Sequence, residues 1–350
     1  MSGDSTPFSI LVIRLSAMGD VAMTVPVVQA LRERYPGARI VMLTRPFFRP
    51  FFRAVEGIGF FEPDLAGRHK GLPGLFRLAR DLGRFDLVAD LHDVLRSQVL
   101  RRLMRLKGAR VAVIDKGRAE KKALTRLKRK RFAPLTPTVE RYRDVFLRLG
   151  LELPPVAPPS RVRCPLDRQT AALAGERIAT WIGVAPFAQH AGKIYPMEKM
   201  REAVRRLAAQ PGTRLFVFGG GERERALAEM LAEGLPDVVP VVGRIGFSQE
   251  LELISNLDLM LSMDSSAMHM ASLFAVSVVS VWGATHPFAG FYGFGQDPAD
   301  AVQVDLPCRP CSVYGNKPCA VGGYPCLNDI SPEAVVERVL QVLDRNAASS

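Results

Sequence analysis

The sequence lacks the features that mark membrane-spanning, secreted and repetitive proteins. No apolar run reaches the roughly 18 residues of a transmembrane helix. Residues 1–7 have neither the basic region nor the apolar core of a signal peptide, and no short repeat or low-complexity tract follows. We therefore expect a cytosolic, globular protein. With 350 residues, 48% of them apolar, the chain is long enough for two domains with a core each.

The glycine pattern of dinucleotide-binding folds is also missing. The first predicted strand is followed by the segment from Leu15 to Asp20 (LSAMGD), which contains one glycine and no G-x-G-x-x-G. This absence argues against a nucleotide-dependent oxidoreductase or epimerase.

Acidic residues are in short supply. The chain has 35 Asp and Glu against 47 Lys and Arg, a formal net charge of +12. The excess is concentrated between Arg96 and Arg131, where only Asp115 and Glu120 are acidic. Such a segment either attracts phosphate, on nucleic acid, anionic lipid or a phosphorylated glycolipid, or is a solvated helical face. Aromatic residues that would stack on bases are absent from it, which disfavours nucleic-acid binding and leaves it as an alternative.

Cysteine is scarce, and four of the five cysteines are clustered. Cys308, Cys311, Cys319 and Cys326 have a C-x2-C-x7-C-x6-C spacing, whereas Cys164 is isolated. Disulfides are not expected in the cytosol. The opening C-x2-C is similar to half of a zinc site, and four thiolates could complete a tetrahedral structural site. The spacing leaves two hypotheses, a structural zinc ion, or free or redox-active thiols in a loop.

The chain does contain a regular alternation of short apolar runs and helical patterns, interrupted by a proline-rich linker at residues 153–160 (LPPVAPPS). The alternation predicts parallel, doubly wound sheets. Strands are predicted at 10–13, 39–44, 85–91 and 109–114 before the linker, and at 181–186, 214–218, 238–242, 257–263 and 276–282 after it. We predict an α/β protein with Rossmann-like domains at 1–155 and 156–330, facing a cleft, and a C-terminal helix at 331–350.

The turn after the first strand is the most informative segment. A helical pattern with Val21, Val25, Val28 and Leu31 follows it directly. In an open α/β sheet this places the turn at the carboxyl edge of the strands, where ligands bind. Asp20 is then either a cap of the following helix or a general base, and its position alone does not decide between the two roles.

Two segments resemble the signature regions of the lipopolysaccharide heptosyltransferases, glycosyltransferase family 9. The first runs from Arg14 to Val21 (RLSAMGDV) with Pro26, and the second from Met263 to Ala271 (MDSSAMHMA). The resemblance implies the GT-B fold, with the acceptor on the N-terminal domain and the donor on the C-terminal one. It also implies an inverting, metal-independent glycosyltransferase that moves a heptose from ADP-heptose to the inner core of a lipopolysaccharide precursor and requires no cofactor.

The resemblance also assigns roles to individual residues. It makes Asp20 the catalytic base. Lys193 is similar to a family lysine that touches the donor phosphates, Glu222 to an acid that binds the ribose hydroxyls, and Arg244 lies where the family has its adenine contacts. The expected donor-binding residues are Lys193, Glu222, Arg244, Asp264, Ser265, Ser266 and His269. Residues 187–190 (FAQH) lack the hydroxyl side chains that family members often carry before the lysine.

One donor contact is expected from the residues themselves. A helix is predicted to begin at 264–266, directly after the strand at 257–263. The free N–H groups and the dipole of its first turn suit a diphosphate.

The acceptor of the resembled family is an anionic glycolipid at the cytosolic face of the inner membrane. We expect the protein to dock there as a peripheral enzyme, with the basic segment facing the acceptor and the membrane. The residues concerned are Lys121, Lys122, Lys128, Arg129, Lys130 and Arg131. The expected partners are an ADP-sugar, an anionic lipopolysaccharide precursor and the inner membrane surface, without nucleic acid. Transfer of another nucleotide-sugar onto a different cell-envelope glycolipid is the alternative within the same class.

Overall fold

The computed structural model describes residues 8–177 and 180–348. The chain forms two compact units. Unit 1 contains the residues up to 116 together with 137–157, and unit 2 contains 117–136 together with the residues from 158 onward. The chain passes from unit 1 to unit 2 for the last time after residue 157, two residues from the boundary predicted at 155. The segment 117–136 differs from the prediction because it belongs to unit 2, where the N–H of Leu135 donates to the carbonyl oxygen of Phe288 (2.9 Å).

The helices and strands alternate along both units. The strands are β1 (Ser9–Ile13), β2 (Arg39–Leu43), β3 (Gly59–Phe61), β4 (Leu87–Asp90), β5 (Arg110–Val113), β6 (Thr180–Ala185), β7 (Thr213–Val217), β8 (Val238–Pro240), β9 (Leu259–Met263), β10 (Ser277–Val281) and β11 (Ala301–Val302). The α-helices are α1 (Met18–Ala22), α2 (Val25–Arg34), α3 (Gly71–Leu82), α4 (Leu95–Leu106), α5 (Arg118–Leu124), α6 (Thr138–Arg148), α7 (Arg168–Ala174), α8 (Met197–Ala208), α9 (Gly221–Ala232), α10 (Phe247–Asn256), α11 (Ser266–Ser272), α12 (Pro325–Asn328) and α13 (Pro332–Ala348). Short 3₁₀ helices lie at Pro46–Phe52, Ala191–Lys193, Pro287–Ala289 and Pro298–Asp300.

Each unit contains one parallel sheet. In unit 1 the strand order is β3-β2-β1-β4-β5, and in unit 2 it is β11-β10-β9-β6-β7-β8. In both sheets the chain adds strands on one side of the first strand and then returns to add the rest on its other side. This is the order of doubly wound folds, and it creates a switch point where the chain reverses, between β1 and β4 in unit 1 and between β6 and β9 in unit 2.

The helical pattern after β1 is divided into two helices. α1 ends at Ala22 and α2 begins at Val25, with Pro26 in the first turn of α2. Proline has no N–H to donate and is therefore tolerated in a first turn but not in the middle of a helix. Thr24 lies between the two helices, and its hydroxyl donates to the carbonyl oxygen of Val21 (2.7 Å).

The cores are made by apolar helix faces on the sheets. In unit 1, α3 buries Leu75, Leu78, Ala79 and Leu82 in a cluster with strand residues such as Leu11 and Val88. In unit 2 the C-terminal helix α13 contributes Val335, Val339 and Val342 in the same way. Each fully buried Leu or Val side chain is worth about 1.5–3 kcal/mol relative to an exposed one. Across the two described stretches of chain, we find no helix long and apolar enough to cross a membrane.

Candidate active site

The switch point of unit 1 is flanked by the residues that follow β1 and β4. Arg14 comes directly after β1, and Asp20 lies in the first turn of α1. On the neighbouring strand, Asp90 is the last residue of β4 and His92 follows it. Because the two strands are parallel and paired, these segments meet at one edge of the sheet.

Asp20 is held by a buried arginine. Nη2 of Arg14 lies 2.5 Å from Oδ2 of Asp20, and Nη1 of Arg14 donates to the carbonyl oxygen of Leu91 (2.5 Å). The arginine side chain is almost fully buried, whereas the carboxylate is partly exposed. A charge-assisted contact of this kind fixes the direction of the carboxylate and leaves part of it accessible.

Asp20 also has one of the contacts expected of a helix cap. Its Oδ2 accepts a long hydrogen bond from the N–H of Ala17 (3.4 Å), the residue that precedes α1. The hydroxyl of Tyr142, on α6, donates to the carbonyl oxygen of Asp20 (3.3 Å). Gly19 lies within α1 rather than in a sharp turn, so the carboxylate owes its position to the helix and to Arg14.

His92 is buried beside this pair. Its Nε2 lies 3.3 Å from the hydroxyl of Ser16, in the loop after β1. Burial is the main reason why the pKa of His92 falls to about 4, and the nearby Arg14 guanidinium lowers it further. The imidazole is therefore neutral near pH 7.

A buried ion network fixes the loop that carries His92. Oδ1 of Asp90 accepts the N–H groups of His92 and Asp93 (both 2.9 Å), and Oδ2 lies 2.7 Å from Nη1 of Arg101. The same arginine nitrogen is 3.0 Å from Oδ1 of Asp93. Asp90 is fully buried, and a buried carboxylate is tolerated only when it is paired and hydrogen-bonded in this way.

The switch point of unit 2 carries an ion pair of its own. Lys193 ends the 3₁₀ helix that follows β6, and Asp264 follows β9 directly. Nζ of Lys193 lies 2.8 Å from Oδ2 of Asp264, and both side chains are largely buried. The two residues therefore meet between the paired strands β6 and β9.

Glu222 lies on the adjoining strand-to-helix connection. The three glycines from Gly219 to Gly221 lead from β7 into α9, and Glu222 is the second residue of that helix. A Cβ atom at Gly219 would lie 2.7 Å from the ring of Phe187, so only glycine fits there. The Glu222 carboxylate is exposed, 3.8 Å from Nη1 of Arg225.

The remaining predicted donor residues lie near the same edge of the sheet. Arg244 is exposed in the turn after β8, and its carbonyl oxygen accepts the side-chain amide of Gln169 (2.9 Å). Ser265 precedes α11, Ser266 is its first residue, and His269 is buried within it. In the described contacts, Lys193 and Asp264 form a direct pair, whereas Glu222 and Arg244 lie at separate positions along the edge.

The cysteine segment is attached to the sheet by Arg309. This side chain is buried, and its guanidinium donates to the carbonyl oxygens of Trp282 (3.2 Å), Gly283 (2.6 Å), Thr285 (3.0 Å) and Val304 (2.5 Å). Lys130 donates to the carbonyl oxygens of Pro307 (3.3 Å) and Arg309 (2.5 Å). The loop is therefore held by cations on main-chain oxygens.

The arrangement does not fit the predicted zinc site. Over the residues that the structure describes, no three or more Cys, His, Asp or Glu side chains are grouped so that they could hold a metal ion. All of the cysteines are free thiols. Burial raises the pKa of Cys311 and raises that of Cys326 to about 11, so both are protonated thiols near pH 7 when no metal is bound.

The same loop contacts the turn that carries Lys193. The N–H of Gly192 donates to the carbonyl oxygen of Gly315 (3.3 Å), and the N–H of Ala284 donates to that of Gly192 (2.8 Å). A Cβ atom on Gly315 would lie 2.6 Å from Cγ of Lys193. The cysteine loop thus packs directly against the Lys193 side chain.

Not all of the cations predicted to face a membrane are available on the surface. Lys121 is 7% exposed, because its ammonium lies over the ring of Phe291, 4.2 Å from the centroid. Lys130 is half-buried, and its ammonium donates to carbonyl oxygens of the cysteine loop. Burial lowers the pKa of this ammonium. Lys122, Lys128, Arg129 and Arg131 are exposed. The prediction of six surface charges is therefore wrong for Lys121 and Lys130.

Sequence reasoning missed several residues of the unit 1 site. Arg14, Tyr142 and Arg101 contact Asp20 or the His92 loop, yet none was singled out. For Arg14 a signal existed, since it is a charged residue directly after an apolar strand, at the ligand-binding edge of the sheet. Tyr142 and Arg101 lie in ordinary amphipathic helices, and nothing in their local sequence marks them.

Comparison with known proteins is consistent with this architecture. The family profile described as glycosyltransferase family 9 (heptosyltransferase) matches residues 75–319. Lipooligosaccharide heptosyltransferase 2 from Campylobacter jejuni serotype O:6 is 21% identical over 92% of this chain and 95% of that protein. Lipooligosaccharide heptosyltransferase 2 from C. jejuni serotype O:2 is 27% identical over 37% of this chain and 40% of that protein.

Solved structures show the same fold. A glycosyltransferase family 9 protein from Veillonella parvula superposes with a TM-score of 0.74 at 20% identity, over 99% of both chains. The E. coli heptosyltransferase WaaC with ADP-2-deoxy-2-fluoro heptose superposes with a TM-score of 0.66 at 20% identity, over 95% of this chain and 99% of that one. The fold is thus the GT-B fold, as the sequence predicts. The chain belongs to glycosyltransferase family 9 (heptosyltransferase) and is a glycosyltransferase.

Proposed function

We propose that this protein transfers a heptose from ADP-heptose to the inner core of a lipopolysaccharide precursor, with inversion at the anomeric carbon and without a metal ion. The observation that carries the proposal is Asp20, a partly exposed carboxylate fixed by the buried Arg14 at the switch point of unit 1. An E. coli relative whose structure was solved with ADP-2-deoxy-2-fluoro heptose supports the choice of donor.

The reaction needs one base. An acceptor hydroxyl oxygen forms a bond to the anomeric carbon of the heptose while the bond from that carbon to the diphosphate oxygen breaks. Asp20 takes the hydroxyl proton, and the ADP leaves with the bonding electron pair. A single displacement of this kind inverts the configuration. Arg14 holds Oδ2 of Asp20, so the carboxylate is oriented before the acceptor arrives.

The departing diphosphate needs positive charge. Lys193 supplies it from the switch point of unit 2, and Asp264 holds the lysine in position before the donor binds. A diphosphate that reaches Lys193 competes with the Asp264 carboxylate for the same ammonium. Glu222 is free to accept the two ribose hydroxyls, because its carboxylate is exposed at the end of the glycine run.

The acceptor is proposed to be an anionic glycolipid presented at the cytosolic face of the inner membrane. The exposed cations Lys122, Lys128, Arg129 and Arg131 of the 117–136 segment support this choice, since they attract anionic phosphate from a distance of about one Debye length, 8–10 Å. The enzyme would then work as a peripheral protein at that surface.

The test is Asp20→Asn. This variant should keep its fold and its affinity for ADP, because the amide is isosteric, but should transfer heptose about 10²–10⁴-fold more slowly. ADP release from ADP-heptose in the presence of a phosphorylated core acceptor measures the rate, with UDP- and GDP-sugars as donors that should not react. Asp144→Asn, an exposed change on α6, is the matched control. Near-normal turnover of the Asp20 variant would reduce Asp20 to a helix-capping residue.

A further inference from the structure

Helix α3 of unit 1 has an exposed face that is apolar at its start. Leu72 is 56% exposed and Phe76 is 55% exposed, although both are large apolar side chains. Residues four apart on a helix lie on one face, so the two side chains form a single patch. The opposite face, with Leu75, Leu78 and Leu82, is buried in the core of unit 1 and fixes the rotation of the helix.

Cations continue this patch along and beside the helix. Arg80 lies four residues after Phe76 on the same face, and Arg77 is exposed next to it. Lys70 precedes the helix and is also exposed. The one acid within α3, Asp81, is already engaged by the guanidinium of Arg68 (2.7 Å). Arg80 is also within 3.5 Å of Asp81, but the cations Arg68, Lys70, Arg77 and Arg80 outnumber this single acid. The exposed face therefore combines Leu and Phe with a net positive charge.

The position of the helix relates this face to the reaction. In a doubly wound sheet each helix that follows a strand begins at the carboxyl edge. Leu72 and Phe76 are in the first half of α3, and the exposed Leu95 is the first residue of the neighbouring α4. Asp20 lies at the same edge of the same sheet.

We propose that the face of α3 formed by Leu72, Phe76, Arg77 and Arg80 docks on an anionic lipid bilayer. Leu and Phe enter the boundary between headgroups and acyl chains, while the arginines bind lipid phosphates. Exposed Leu and Phe with Arg beside them combine apolar insertion with attraction to anionic lipids, the two contributions that hold interfacial helices at a bilayer. The one-sided charge favours an anionic surface over a second copy of this basic chain. The proposal deepens the proposed function, on which its biological meaning rests, by naming a surface of unit 1 that inserts apolar side chains into the membrane holding the acceptor.

The experiment uses the full chain and vesicles of phosphatidylethanolamine with phosphatidylglycerol. Co-sedimentation should show binding that weakens as salt is raised, because the arginine contacts are screened. The double variant Leu72→Ser/Phe76→Ser should partition about tenfold less well at every salt concentration, equivalent to about 1.4 kcal/mol. Both side chains are exposed, so the variant should melt at the wild-type temperature.

Two further variants distinguish insertion of the α3 side chains into lipid from non-specific adsorption to vesicles. Leu106→Ser is the matched control, because Leu106 is 85% exposed but lies at the far end of α4. This variant should bind vesicles like the wild type. Phe76→Trp should show a blue shift of its tryptophan emission when vesicles are added, since the indole would move from water into lipid. The two native tryptophans, Trp181 and Trp282, are buried and give a constant background.

The outcomes distinguish this proposal from the proposed function. An unchanged Phe76→Trp emission, or equal losses for the Leu106 control, would overturn docking through α3. A change in sedimentation coefficient without any change in vesicle binding would assign the face to a second copy of the chain and also overturn it. Transfer to a deacylated, water-soluble acceptor reports on the proposed function alone. It should be the same in wild type and in Leu72→Ser/Phe76→Ser.

Discussion

Glu250 is a carboxyl group that burial shields from water. It lies in the first turn of α10, and burial raises its pKa from 4.5 to about 7. The folded state therefore favours the protonated acid more than the unfolded state does. The stability that this group contributes is complete below pH 4.5 and is lost as the pH rises through about 7.

Glu250→Gln should remove this pH dependence. The amide cannot ionise, so the variant should gain stability over the wild type at about pH 8, by at most on the order of 3 kcal/mol, and little at about pH 5. Thermal unfolding at the two pH values measures the difference. The exposed Glu229→Gln on α9 serves as the control and should follow the wild type. Equal effects at both pH values would show that the carboxyl titrates normally.

Single residues differ in how far the sequence predicts them. Asp20 and Lys193 follow strands, so topology alone puts them at ligand-binding edges. The pairing of Asp20 with Arg14 and of Lys193 with Asp264 is found only in three dimensions, because it depends on where α1 begins and on the register of β6 with β9. For Lys121 the sequence gives the wrong expectation of its exposure. A lysine in a basic run looks exposed, but the ring that covers it, Phe291, is distant in the sequence.

At the scale of elements, the loop that contains the cysteines sets the position of the Lys193 turn. Gly315 adopts a left-handed backbone with φ of +73°, and a Cβ atom there would meet the Lys193 side chain. The hydroxyl of Ser312 accepts the N–H of Gly315 (2.9 Å), and the N–H of Ser312 donates to the carbonyl oxygen of Ala284 (3.2 Å), which ties the loop to the segment after β10. Main-chain contacts thus link the loop to the residue proposed to bind the diphosphate.

Gly315→Ala should weaken ADP binding because the new methyl group displaces Lys193. The loss should approach that of Lys193→Ala, about 1.5–3 kcal/mol for a charge-assisted contact, while adenosine, which has no phosphate, should bind as before. Isothermal titration measures both ligands. Gly322→Ala is the matched control, since Gly322 has a similar φ of +77° and its Cβ would meet nothing within 4 Å. Equal losses in the two glycine variants would point to backbone strain instead of a contact with Lys193.

Strands were predictable where the apolar run is long enough to stand out from the flanking sequence. The nine predicted strands correspond to strands in the structure, with ends that differ by no more than two residues. β3 and β11 were not predicted because they have three and two residues and lie at sheet edges. The pattern from Val21 to Leu31 predicts one helix, but Pro26 requires a helix start nearby and two helices form. Short edge strands and helix breaks depend on tertiary contacts that periodicity does not contain.

At the scale of the whole molecule, two doubly wound sheets were predictable, but the assignment of residues 117–136 to the second unit was not. Alternating elements and a proline-rich linker indicate two similar halves, and two doubly wound sheets are found. The assignment of 117–136 to unit 2 depends on contacts with residues far along the chain. They include the Phe132 ring against His286 (5.0 Å between centroids) and Lys130 on the carbonyl oxygen of Pro307.

The chain passes between the units at 116, 136 and 157, so three covalent connections join them. A fragment of residues 158–350 would lack the 117–136 segment and should melt at a lower temperature than the same fragment with a synthetic 117–136 peptide. Calorimetry with and without the peptide tests this, and a scrambled peptide of the same composition is the control. An unaffected melting temperature would show that the segment only rests on the surface.

This connectivity also constrains recombination between family members. A chimaera joined at the proline-rich linker takes 117–136 from one parent and its packing partners, such as Phe288 and Arg309, from the other. Exchange of a functional unit 2 should therefore need two additional junctions, near 116 and 136, so that residues 117–136 come from the same parent as the rest of unit 2. The linker, although it is the most obvious boundary in the sequence, is not sufficient as a crossover point.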